Sequence, residues 1–173
     1  MATLNIAIVG SSGRMGRALL EAVAQAPDMR LAAAVERAGS PFVGKDAGEL
    51  TGSPCGVVIV DDAAAALKGC HALIDFTRPE ATLDHLQLCR RLGVNIVIGT
   101  TGFTPEQKEQ IADAARDIGV VFAPNMSVGV NLCLKLLDMA ARVFNNPVIF
   151  LSMPSILLRR SLRFIYYLRF LFC

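Results

Sequence analysis

The chain has 173 residues, enough for one domain with a real core and too short for two full ones. Hydrophobic residues make up 53% and Trp is absent; the surplus is Ala, Val, Ile and Leu, as expected when parallel strands are buried on both faces. The formal net charge of +2 belongs to the C-terminal stretch, where Arg159, Arg160, Arg163 and Arg169 meet no acid; up to Pro147 there are 13 Lys+Arg against 15 Asp+Glu, which leaves no basic face suited to nucleic acid.

In chain order, Asn5 to Val9 is a β-rich run that stops at glycine, and Arg14 to Gln25 has helical periodicity through Met15, Ala18, Leu19, Ala22 and Val23, ending before Pro27. Leu31 to Glu36 reads as a second strand. Ser40 to Pro54, rich in Gly and Pro, reads as an irregular surface connection. Val57 to Val60 is a third strand, and Asp61 or Asp62 can cap the short helix that follows. Ala72 to Asp75 is a fourth strand, and Glu80 to Leu92 is a helix with Pro79 in its first turn. Asn95 to Ile98 is a fifth strand. Thr104-Pro105-Glu106-Gln107 is a capping box opening a helix that runs to Gly119. Val120 to Phe122 is a sixth strand and Val128 to Val143 a final helix. Six strands alternating with helices imply an α/β fold, a doubly wound parallel sheet of the Rossmann type.

The first strand runs into Gly10-Ser11-Ser12-Gly13-Arg14-Met15-Gly16, a GxxGxxG variant of the dinucleotide fingerprint. Gly10 permits the tight turn, Gly13 lets backbone approach a pyrophosphate, and Gly16 allows close helix packing. The helix N-terminus then offers free N–H groups and positive dipole to phosphates. Glycines in a strand–turn–helix are weak evidence alone. Here Glu36 falls 20 residues after Gly16, where an acid accepts from the adenosine ribose hydroxyls. Arg37 follows, able to stack on adenine or hold a 2′-phosphate, so the pair admits both NADH and NADPH; the competing reading is a solvated loop ion pair.

Ligands in this fold lie across the carboxyl ends of the strands. Those ends read Asp75-Phe76-Thr77-Arg78-Pro79, Gly99-Thr100-Thr101-Gly102-Phe103 and Ala123-Pro124-Asn125-Met126-Ser127. Thr77 and Arg78 can reach diphosphate or ribose, Gly99 to Gly102 can set backbone against a nicotinamide ring, and Asn125 offers an amide. Each loop alone is compatible with ordinary turn chemistry. His71, before a strand, and His85, in mid-helix, are read as structural, since neither lies at a strand's carboxyl end. The cysteines Cys55, Cys70, Cys89, Cys133 and Cys173 are scattered, odd in number and without a CxxC pair, which suggests free thiols in a reducing cytosol and no metal site. The N-terminus has no basic region or cleavage site of a signal peptide.

VGSSGRMGRALLEA, the VER at Val35 to Arg37, LIDFTRPEATLDHL, VIGTTGF and FAPNMSVGVNLCLKLL together resemble the 4-hydroxy-tetrahydrodipicolinate reductase (dihydrodipicolinate reductase) family of the diaminopimelate route to lysine, in order and with family spacing from Asn5 to Val143. The resemblance implies a cytoplasmic enzyme that transfers hydride from NADH or NADPH to a cyclic dicarboxylate. It implies coenzyme contacts at Gly10, Ser11, Ser12, Gly13, Arg14, Met15, Glu36, Arg37, Gly99, Thr100, Thr101, Ala123, Pro124, Asn125 and Met126, with Arg78 nearby. Met126 stands where family members often have Phe, so altered packing is expected there. Ser127-Val128-Gly129 resembles the hinge between the family's two domains.

The likeness stops after Asn145. The family's histidine pair, proton-donating lysine and Ser-Gly-Thr loop, and the domain through which its homo-oligomers form, have no counterpart in the 173 residues. The expected organisation is a dinucleotide-binding domain over 1–127, a hinge and connecting helix over 128–146, and a non-family apolar and basic tail over 147–173. A spanning helix needs about 20 mostly apolar residues, and the tail's arginines and Pro154 argue against a membrane segment. The preferred reading is a truncated reductase with an aberrant end, binding coenzyme without catalysis. The alternative is a stand-alone NAD(P)-binding module whose tail docks a membrane or partner, for which a basic amphipathic helix from Ser155 is the candidate. A semialdehyde or homoserine dehydrogenase fits less well, because Cys133 and Lys135 lie inside the last helix.

Overall fold

Among the described residues, alternating strand and helix signals become six parallel strands in one sheet. The computed structural model describes residues 3–123 and 125–143; Pro124, the end of the 128–146 segment and the 147–173 tail lie outside the described residues. The elements are β1 (Leu4–Val9), α1 (Arg14–Gln25), β2 (Met29–Val35), β3 (Ile59–Val60), α2 (Ala63–Ala66), β4 (Ala72–Asp75), α3 (Pro79–Leu92), β5 (Asn95–Ile98), α4 (Pro105–Ala114), β6 (Val120–Phe122) and α5 (Val128–Val143). The strand order is β3-β2-β1-β4-β5-β6. The chain winds outward from β1 in one direction and from β4 in the other, so a crevice opens between them at the strands' carboxyl ends.

Register aligns those ends. Val60 pairs with Val35, Val35 with Val9, Val9 with Asp75, Asp75 with Ile98 and Ile98 with Phe122, and each is the last residue of its strand. The loops at Gly10, Glu36, Phe76, Gly99 and Ala123 therefore leave the sheet along one edge.

Alternation along each strand builds two cores. Ile6, Ile8, Ala34, Ile59, Ile74 and Val97 pack with Leu19, Leu20 and Val23 of α1. Ala7, Val9, Val35, Leu73, Ile96 and Ile98 pack on the other face with Leu86 of α3 and Ile111 of α4. Burying each Leu, Ile or Val is worth about 1.5–3 kcal/mol, and burial on both faces explains the continuous apolar strands. The same alternation turns Asp75 toward the face covered by α3.

Helix ends follow their local chemistry. Thr104 Oγ1 accepts from Gln107 N at 3.3 Å and Thr104 N donates to Gln107 Oε1 at 2.9 Å, the expected capping box. Asp62, one of the two candidate caps, accepts from Ala65 N at 3.0 Å. Arg90 of α3 pairs with Asp113 at 3.0 Å and with Asp117, clasping α3 to α4.

Two expectations need correction. The helix from Thr104 stops at Ala114, and its continuation to Gly119 is a series of turns whose amides reach back to Ile111, Asp113 and Ala114. The 40–54 connection is not wholly irregular: Ala47–Thr51 is a 3-10 turn with Ala47 and Gly48 buried. Asp46 organises it, accepting from Gly48 N at 2.7 Å, Cys55 N at 2.9 Å and Gly56 N at 2.7 Å.

Candidate functional site

The glycine loop is built by its own backbone. Gly10, with φ of +67°, and Ser11 both donate to Val35 O, at 2.9 and 3.4 Å, which fastens the loop to the end of β2. Gly13 N donates to Gly10 O at 3.0 Å and is the N-cap of α1, without a side-chain cap. A Cβ at Gly16 would stand 2.2 Å from Gly10 O and 2.6 Å from Ser11 O, so this glycine lets the helix close on the loop itself rather than on the sheet. The amides of Arg14, Met15 and Gly16 head α1, where no carbonyl lies one turn back to receive them. Arg14 and Met15 are exposed there.

Glu36 joins this loop from the next strand. Its carboxylate oxygen Oε1 accepts from Ser12 N at 2.8 Å and Ser12 Oγ at 2.7 Å, while its backbone N donates to Val60 O at 2.9 Å. The residue is 9% exposed, and no described residue bonds Oε2. Arg17 Nε donates to Ser12 O at 3.0 Å, bracing the loop from α1. Arg37 is exposed. Among the described residues Arg14, Arg17, Arg37 and Arg78 enter no ion pair, so four guanidinium charges on the loops around the crevice outnumber the Glu36 and Asp75 carboxylates there, a balance that favours a polyanion.

The β4 and β5 loops are tied together. Thr77 N donates to Asp75 Oδ1 at 2.9 Å and to Thr100 Oγ1 at 3.0 Å. Gly99 N donates to Asp75 O at 2.9 Å, and a Cβ on Gly99 would lie 2.0 Å from the Phe76 ring. Thr100 is buried, whereas Thr101 and Arg78 are exposed toward solvent.

At the end of β6, Ala123 is buried and its N donates to Ile98 O at 3.3 Å. Pro124 lies outside the described residues. Asn125 does not hold its whole amide free: Oδ1 accepts from Ser127 N at 2.9 Å, an Asx turn that opens α5. Met126, partly buried, packs against the α1-side core, so it fills apolar space. The structure thus brings the Gly10–Met15, Glu36–Arg37, Arg78 and Gly99–Thr101 segments, with Ala123, Asn125 and Met126, to one edge.

The histidines divide. His71 Nδ1 accepts from Asn5 N at 2.8 Å at the opposite edge of the sheet, a structural role as expected. His85 was expected to lie away from the strand ends; its ring instead reaches Asp75 Oδ2, 2.8 Å from Nδ1, at the carboxyl end of β4. Side chains on a helix lean toward its N-terminus, and the N-terminus of α3 stands at that edge. Thr82 and His85, three apart on the buried side of α3, are the sequence signal that identifies this cluster.

Buried thiols are quiet. Burial, and secondarily the nearby Asp75 charge, push the Cys89 thiol up to about 12. Among the described residues no group of His, Cys, Asp and Glu is disposed to hold a metal, and no helix is long and apolar enough to cross a membrane.

Known proteins resemble this chain. The family described as dihydrodipicolinate reductase, N-terminus, matches residues 4–126. The 4-hydroxy-tetrahydrodipicolinate reductase of Nitrosospira multiformis is 66% identical over 145 residues, 84% of this chain and 54% of that protein. That of Nitrosomonas eutropha is 59% identical over 142 residues, 82% of this chain and 53% of that protein. A solved dipicolinate-bound dihydrodipicolinate reductase from Paenisporosarcina sp. TG-14 matches with a TM-score of 0.64 and 27% identity, over 80% of this chain and 54% of that one. The chain spans about half the length of the curated relatives it matches.

Proposed function

The chain belongs to the dihydrodipicolinate reductase family, and from that premise we propose that its crevice holds NADH or NADPH for the reduction of 4-hydroxy-tetrahydrodipicolinate in lysine biosynthesis. The observation that carries the proposal is the junction of Ser12 with Glu36 at 2.8 and 2.7 Å, which sets a carboxylate beside the head of α1. The donor set suits a dinucleotide: helix-end amides for a diphosphate, a carboxylate for ribose hydroxyls, and unpaired arginines around them.

Bound there, the coenzyme supplies hydride. The chain's own groups bind and orient it: Gly10 to Met15 receive the diphosphate, Glu36 and Arg37 the adenosine ribose or its 2′-phosphate, and Gly99 to Thr101 with Ala123 to Met126 the nicotinamide half. Arg78 adds charge nearby. The coenzyme-binding domain covers 1–127, and 128–146 is the hinge and connecting helix.

Reduction of a dicarboxylate also requires a proton donor and cations to clamp the carboxylates. The 173 residues contain two histidines, of which His71 is bonded at the far edge and His85 is bonded to Asp75. Assayed by itself, this chain is expected to bind NADPH in the micromolar range or weaker without turnover. Calorimetric titration with both coenzymes, followed by a turnover assay, tests this; steady turnover at a rate ordinary for an enzyme contradicts it.

One observation favours a second reading, a stand-alone coenzyme-binding module that docks a partner. Leu132, Leu136 and Met139 of α5 form an exposed stripe, at 56%, 55% and 62% exposure. Coenzyme binding is common to both readings.

A further inference from the structure

Asp75 is completely buried at the end of β4, and no Lys or Arg among the described residues pairs with it. Its Oδ1 accepts from Thr77 N at 2.9 Å, Thr77 Oγ1 at 2.6 Å and Thr100 Oγ1 at 3.4 Å. Its Oδ2 faces His85 Nδ1 at 2.8 Å. Thr100 Oγ1 in turn accepts from Thr82 Oγ1 at 2.9 Å.

Proton accounting gives this cluster a direction. A hydroxyl carries one proton. That of Thr82 goes to Thr100, and those of Thr100 and Thr77 go to Asp75, which leaves none for the 3.4 Å contact between Thr77 and Thr82. Three donors converge on Oδ1, so no proton sits there. Oδ2 has the His85 ring as its partner, with Nδ1 placed to donate to it. A buried carboxylate left without such a partner swings to find another donor. That change alters the acceptor that holds Thr77 and Thr100.

Those two threonines belong to different loops. Thr77 adjoins Arg78 in the β4–α3 loop, and Thr100 adjoins Thr101 in the β5–α4 loop; both loops face the crevice. One carboxylate thus sets the spacing of two loops, and α3 sets the carboxylate through His85 and Thr82.

We propose that His85 is a positioning residue for coenzyme binding: by donating from Nδ1 to Asp75 it locks the Thr77–Arg78 and Thr100–Thr101 loops in the arrangement that receives the coenzyme. This rests on the coenzyme-binding function above. His85 does not touch the coenzyme; it acts through Asp75.

The test uses the full chain with His85→Leu, which removes the donor, and His85→Asn, whose amide nitrogen can occupy the place of Nδ1. Two signals are read: the exchange rate of the Thr77 amide by NMR, and the NADPH dissociation constant by calorimetry. His85→Leu is expected to speed Thr77 exchange at least about tenfold, leave the amides of Ile8 and Ala34 unchanged, and weaken NADPH at least about tenfold. His85→Asn is expected to stay within about threefold of the parent chain on both. If His85→Leu fails to fold, Thr100→Val, which breaks the same network from the β5 loop, is expected to reproduce the Thr77 signal, with Thr100→Ser restoring it. Unchanged Thr77 exchange in folded His85→Leu, or in Thr100→Val, overturns the proposal, as does an Asn variant as impaired as the Leu variant. Failure of the parent chain to bind NADPH instead overturns the coenzyme-binding function, while the exchange measurement still decides the lock.

Discussion

Ser12 and Glu36, in different loops, are joined by two hydrogen bonds that end on one oxygen: Glu36 Oε1 receives the Ser12 amide at 2.8 Å and its hydroxyl at 2.7 Å. The two bonds couple the end of the crevice proposed for the diphosphate to the end proposed for the ribose. Glu36→Ala is expected to weaken NADH about tenfold or more, consistent with about 1.5–3 kcal/mol for hydrogen bonds to a charged group, and to weaken NADPH less. Arg37→Ala is expected to show the opposite preference. Parallel calorimetric titrations with the two coenzymes check both, and equal losses for NADH and NADPH in each variant would remove the specificity role of the pair.

Gly16→Ala should be destabilising even though alanine is the better helix former by about 1 kcal/mol. Its Cβ would meet the carbonyls of Gly10 and Ser11 at 2.2 and 2.6 Å, and backbone gives way poorly. A net loss of about 1–3 kcal/mol is expected from overpacking, along with loss of coenzyme binding, and thermal melts with titration measure the two effects. A stable Gly16→Ala chain that binds normally would show that the loop has more room than the structure gives it.

Gly99→Ala places a methyl 2.0 Å from the Phe76 ring. The obstacle here is a side chain, so the damage should be reversible: Phe76→Leu is expected to restore most of the stability lost by Gly99→Ala. A double-mutant cycle reads the coupling between the two positions, and additive effects would argue that the contact is not what excludes a side chain at 99.

The thiols are expected to sort by burial. Cys55 and Cys133 are exposed, whereas Cys70 and Cys89 are buried, with the Cys89 thiol pushed up to about 12 by burial and the Asp75 charge. At pH 8 an alkylating reagent should label Cys55 and Cys133 rapidly and spare Cys70 and Cys89, because thiolate is the reactive form. Peptide mass mapping over a time course checks this, with rapid labelling of Cys89 in folded protein as the contrary result.

Asp46 makes one loop acid-sensitive. The Cys55 backbone amide, with those of Gly48 and Gly56, holds its carboxyl below the usual value. A carboxyl lowered by folding stabilises the native state above its unfolded value, about 3.9 for Asp, and that contribution fades as pH falls through the folded value. Protection of the Gly48, Cys55 and Gly56 amides, taken relative to their intrinsic exchange rates, should therefore fall on acidification below about pH 4, ahead of that of the sheet amides. Asp46→Asn should show fast exchange at those amides already at neutral pH, which separates this carboxylate from general acid unfolding.

Much of this architecture is written in local pattern. The apolar runs at Ile6–Val9, Leu73–Ile74 and Ile96–Ile98, separated by helical periods, carry the doubly wound sheet, and Thr104 with Gln107 marks a helix start by chemistry that operates within one turn. The glycine loop is legible for the same reason, since Gly13 and Gly16 serve close approaches to the carbonyls of their own loop and Gly10 turns the chain at positive φ. What pattern does not carry is how far a side chain reaches. His85 was placed by its backbone, seven residues into a helix that begins at Pro79, yet its ring leans back to Asp75. Asp46 gathers amides at positions 48, 55 and 56, a spacing with no period. Asn125, judged by its amide, spends the oxygen on Ser127.

The central claim is that the amides at the head of α1 receive a diphosphate while Glu36 holds the neighbouring sugar. A nitrogen-edited NMR titration of the 173-residue chain with NADPH tests it residue by residue. Saturable shifts at Gly13, Arg14, Met15, Arg37 and Thr101, with the amides of α2 and the far edge at Asn5 and His71 unmoved, are the predicted result. A folded chain whose glycine-loop amides stay in place at saturating NADPH would contradict it.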